Sequence, residues 1–89
     1  MFTAESYDEL SVRLEQCDQA IRRFSGTRSI QQDLERLLRT VQGERRQLSI
    51  LAVECRRLRR TTSSYERQQI RLADYIAGLE KRIFWASLM

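Results

Sequence analysis

Eighty-nine residues leave room for one domain, and the absence of histidine removes the commonest general base and the commonest metal ligand together, so catalysis is not expected. With no proline, three glycines, 42% apolar and 31% charged residues and a mean hydropathy of −0.54, the composition argues against a disordered chain and suits a solvated helical surface around a narrow core. The net charge is +4, from 16 basic and 12 acidic residues, and Lys81 is the sole lysine. Its distribution is uneven. Glu5, Asp8, Glu9, Glu15 and Asp18 oppose only Arg13 at the start, whereas arginines dominate from Arg28 to Arg71, which predicts an acidic first helix lying on a basic second one.

The first predicted helix runs from about residue 4 to residue 25. Tyr7, Leu10, Leu14, Cys17, Ile21 and Phe24 recur at alternating three- and four-residue steps, the spacing that lays one apolar stripe along a helix. Ser6 with Glu9 reads as a capping box at its start. At its end the register breaks across Ser25 to Ser29, and Gly26 suits the left-handed position that often closes a helix.

The second helix is predicted over about 30–60, opened by a box of Ser29 with Gln32. Its seam is Ile30, Leu34, Leu37, Val41, Leu48, Leu51, Cys55 and Leu58. Gly43 is a candidate kink, because glycine inside a helix costs about 1 kcal/mol relative to alanine. Leu38, Ile50, Ala52 and Val53 lie off the seam, as a helix touched from two sides requires.

The third helix is predicted over about 64–86, opened by a box of Ser63 with Glu66, with Tyr65, Leu72, Ile76, Leu79 and Ile83 on its seam. Glu44, Thr62 and Gln69 are polar residues at seam positions, a pattern that fixes register. The seam passes through Thr61-Thr62-Ser63-Ser64 without losing register, so two architectures compete. One is an all-α antiparallel three-helix bundle, or helical hairpin with coiled-coil packing. The other is a continuous helix from about residue 29, stable only in a coiled-coil dimer. Four poor helix formers in a row favour the turn.

Cys17 and Cys55 both fall on seams, where a free thiol behaves as a small hydrophobe. In a hairpin, position 17 faces roughly position 38, which leaves Cys55 about 25 Å further on at ~1.5 Å per residue and out of disulfide reach. No Cys-x-x-Cys pair and no glycine-rich loop after a strand is present, so no cofactor is expected. No run of about 18 apolar residues exists to span a membrane. Met1-Phe2-Thr3-Ala4-Glu5 lacks a basic and apolar leader, so the expectation is a cytoplasmic chain.

What remains is surface. The C-terminal segment places Phe84, Trp85 and Leu88 where they cannot all face a core, and with Ile50 and Val53 they are the candidate partner-binding residues. Arginines fill the outward rows of the second and third helices, and Arg56, Arg57, Arg59 and Arg60 are their densest group. Those four are candidates for contacting an acidic protein, or alternatively the phosphates of a nucleic acid. No motif specifies a family. The expectation is a non-enzymatic helical protein-protein interaction module, a small adaptor, chaperone or inhibitor, that also forms a homo-oligomer.

Overall fold

The computed structural model describes residues 6–88, so the predicted helical residues 4 and 5, and Met89, lie outside it. Within those residues the chain folds as three helices, α1 (Tyr7–Arg22), α2 (Arg28–Leu58) and α3 (Ser63–Ser87), each packed against the other two as a three-helix bundle. Tyr7 and Tyr65, at the starts of α1 and α3, share a cleft with Cys55 near the end of α2. Thus α1 and α3 run parallel to each other and antiparallel to α2. At ~1.5 Å per residue the 31 residues of α2 span about 46 Å, which matches the 47 Å long axis of the molecule.

The core is the predicted seam. Leu10, Leu14, Cys17 and Ile21 from α1 meet Leu34, Val41 and Leu48 from α2 and Leu72, Ile76 and Leu79 from α3, all buried. Each fully buried Leu or Ile contributes about 1.5–3 kcal/mol relative to exposure. Leu38 joins them from off the seam, as expected of a helix packed on two sides. Ile50 and Val53 do not, being 63% and 60% exposed. Leu58 also departs from the seam and is exposed: α1 begins level with Cys55, and none of the described residues covers the last turn of α2.

The chain turns after Leu58, which excludes the continuous helix. Arg59 adopts the left-handed conformation (φ 56, ψ 35), its N–H donates to the Arg56 carbonyl, and the Arg60 N–H donates to the Cys55 carbonyl. This is the Schellman pattern for closing a helix. Gly26 does not play that part after α1, since no glycine among the described residues has a positive φ. It allows a close approach instead. A Cβ at Gly26 would run into Cζ of Phe24, whose ring folds back over the turn.

Two of the three predicted caps shift. Ser6 caps α1 as expected, its Oγ accepting from the Glu9 N–H at 3.2 Å. α2 is capped by Thr27 rather than Ser29, which puts Ile30 a full turn inside the helix and onto the core. α3 is capped by Thr62 rather than Ser63, and a tertiary contact decides it: the Thr62 N–H donates to Cys55 Sγ at 3.5 Å while its Oγ1 accepts from the Tyr65 N–H at 3.2 Å. Gly43 does not interrupt α2, which is helical throughout. Among the described residues no helix is long and apolar enough to cross a membrane.

Candidate functional site

Beyond the core, four surfaces carry side chains that the fold itself does not use. The first is the end of α3. Ile83 and Ala86 turn toward Phe24 and the α1–α2 connection, where they line a small cleft with Ala20 and Ser87. Ala86 is buried there. Consecutive helical residues project about 100° apart, so Trp85, one step before Ala86, and Phe84 and Leu88, two steps from it, point away from that cleft. Phe84, Trp85 and Leu88 are accordingly 59%, 56% and 63% exposed. The two rings meet edge to face, with centroids 5.6 Å apart and planes at 75°, which holds the aromatic pair together in water.

The second surface is the outer face of α2, where Ile50 and Val53 lie between Arg46 and Arg57 at four-residue spacing. It is not continuous with the first. Gln68 of α3 sits level with Glu44 of α2, so Ile50 and Trp85 are roughly 35 Å apart along the bundle at ~1.5 Å per residue.

The third is basic. All four of Arg56, Arg57, Arg59 and Arg60 are exposed, and none forms an ion pair among the described residues. Arg56, Arg59 and Arg60 line one open cleft with Tyr65 and with Asp8 from the first turn of α1, while Arg57 stands on the outer face. Among the described residues Asp8 is the acid that lines this cleft. Elsewhere charges serve the packing. Arg13 of α1 makes a two-pronged bond to Glu80 of α3, with Nε to Oε2 at 3.2 Å. Glu44, the polar seam residue of α2, accepts from Gln68 Nε2 at 2.6 Å and pairs with Arg71 Nε at 3.2 Å, which fixes the register of α2 against α3.

The fourth surface is an open groove of about 770 Å³ between α2 and α3. Leu37, Val41 and Leu79 form its apolar floor, Ile70 and Tyr75 its wall, and Arg67, Arg71 and Arg82 stand along its edge. Gly78 lies in the middle of that edge, and a Cβ built there would meet nothing within 4 Å. Helical periodicity did not single out this groove. Leu37 and Val41 belong to the same seam as the buried residues, and only the placement of α1 decides which side of the seam stays open.

Neither thiol is in a disulfide. Burial pushes the Cys17 thiol up to about 11, the Glu80 carboxylate adding to the rise and Arg13 opposing it, so it stays a protonated core group at neutral pH. No family model, curated protein or solved structure matches this chain.

Proposed function

We propose that the chain is a non-enzymatic helical interaction module, acting as a small adaptor, chaperone or inhibitor through helix faces it presents to other proteins. The observation that carries this reading is the exposed cluster of Phe84, Trp85 and Leu88. Three large apolar side chains on one helix end contribute nothing to the core and lose solvent only when a partner or a second copy covers them. Aromatic anchors seated in a partner pocket commonly account for about 2 kcal/mol or more, against about 0.5 kcal/mol for an exposed position of no consequence. Trp85→Ala is expected to weaken self-association or partner capture and to leave helix content intact. Sedimentation of wild type and mutant, paired with melting of the dilute monomer, checks it. A mutant that loses thermal stability when dilute makes Trp85 a core plug and removes the anchor.

The arginines at the end of α2 favour a second reading, in which the chain binds nucleic acid through Arg56, Arg57, Arg59 and Arg60. Their exposure, and the lack of ion pairs to them among the described residues, support it. No aromatic residue is interleaved with them along α2, and the rings that share their cleft, Tyr7 and Tyr65, are partly buried against the core, which weighs against it.

A further inference from the structure

The α2–α3 pair offers two long grooves, and α1 fills one of them. It does so with Leu10, Leu14, Cys17 and Ile21 at four-, three- and four-residue steps, and with Asp8, Glu9, Glu15 and Asp18 beside that stripe. The other groove presents Leu37, Ile70 and Tyr75 as accessible apolar lining over the buried Val41 and Leu79, has a basic edge, and is filled by none of the described residues. We propose that this groove docks an amphipathic helix of a partner protein, with acidic residues flanking its apolar stripe, as a fourth helix of the bundle. The proposal rests on the interaction-module reading and gives that module a surface and a partner chemistry.

Charge selects the occupant. Arg71 is already shared with Glu44, and Asp74 is the single acid of the groove, so Arg67 and Arg82 at its two ends are the cations left for a guest. They lie fifteen residues apart on α3, about 22 Å at ~1.5 Å per residue, a span that matches four turns of a docked helix. A second copy fits poorly. Two copies joined groove to groove would set Arg67, Arg71 and Arg82 against their own images. The other exposed apolar residues of the chain are also flanked by cations, Ile50 and Val53 by Arg46 and Arg57, and the Phe84–Trp85–Leu88 cluster by Lys81 and Arg82. The acidic helix α1 has already buried its own stripe, leaving Val12 as the large apolar side chain on its outer face. Among the described residues no acidic helix is left free to fill the groove, and the proposal assigns that helix to another protein.

Gly78 supplies a test, because it lines the groove, a Cβ there meets nothing within 4 Å so a larger side chain starts from open space, and a helical interior gains from losing glycine. Two synthetic peptides of about 18 residues, with the same leucine stripe at four- and three-residue steps and either glutamate or lysine flanks, are titrated calorimetrically into the full chain at low and physiological salt. The glutamate peptide is expected to bind at least about tenfold more tightly than the lysine peptide. Gly78→Leu should weaken it by about tenfold or more with no fall in melting temperature, and Arg67→Glu with Arg82→Glu should abolish or invert the preference. Equal affinity for both peptides, no binding of either, or binding indifferent to Gly78→Leu overturns the groove as the site. Self-association of the chain alone that Gly78→Leu dissolves makes the occupant a second copy and overturns the partner assigned here. If the groove variants change nothing while Trp85→Ala still weakens association, the groove fails and the interaction module stands.

Discussion

At Arg59 the left-handed backbone brings Cβ against the following carbonyl, a conformation that costs a residue with a side chain about 1 kcal/mol and glycine almost nothing. Arg59→Gly is therefore expected to raise stability by about 0.5–1 kcal/mol, read as a higher urea midpoint at unchanged slope. Arg59→Ala removes the same charge but keeps the Cβ, and should give no such gain. Cys17 makes a different test, because its thiol is raised from the ordinary 9.0 to about 11 by burial. The folded state holds the proton more tightly than the unfolded chain, so stability is complete below about pH 9 and falls as pH rises from there toward 11. Thermal melts between pH 8 and 11 on wild type and Cys17→Ala check it: the additional alkaline loss should be absent from the mutant. Alkylation at pH 8 should likewise spare Cys17 until the protein unfolds, since it is only 4% exposed.

Helix ends and interiors explain which elements the sequence made legible. The three- and four-residue steps identify every helix and most of the buried residues, because a stripe that must be dry has few ways to be arranged on 3.6 residues per turn. Cap positions are less legible. Ser29 and Ser63 match the local box pattern, but Thr27 and Thr62 win because seating Ile30 and Tyr65 against the core, and bonding Thr62 to Cys55, are tertiary gains that a local pattern does not contain. Thr62→Ala is expected to cost about 1–2 kcal/mol, more than Ser63→Ala, when both are measured by chemical unfolding. The polar seam residue Glu44 follows the same logic. Its carboxylate is held by two residues of α3, so it sets register where a leucine would only add area. Gly43 has no such excuse: it is helical, its Cβ would meet nothing, and Gly43→Ala should add about 1 kcal/mol.

For the whole molecule, the surfaces were legible as lists of residues but not as places. Phe84, Trp85 and Leu88 form one exposed cluster, whereas Ile50 and Val53 lie far from it, and the α2–α3 groove emerges only once α1 is seated on the opposite face. The same seating determines how the basic end of the bundle behaves. Asp8 shares a cleft with Arg56, Arg59 and Arg60, so their charge is partly offset, and the net +4 of the chain is spread over a 47 Å body rather than focused in one channel. Exposed charges of this kind act over about 8 Å at physiological ionic strength. Binding to a short DNA duplex should therefore be measurable at low salt and vanish near 0.15 M, about the physiological value, as nonspecific attraction does. Charge reversal at Arg56, Arg57, Arg59 and Arg60 should flatten the dependence of affinity on salt, because fewer counterions are then released. Fluorescence anisotropy of labelled duplex across a salt series gives both quantities. Affinity that persists at physiological salt and falls by about a hundredfold or more on reversal would instead make the arginine end a nucleic-acid site and displace the protein-binding reading.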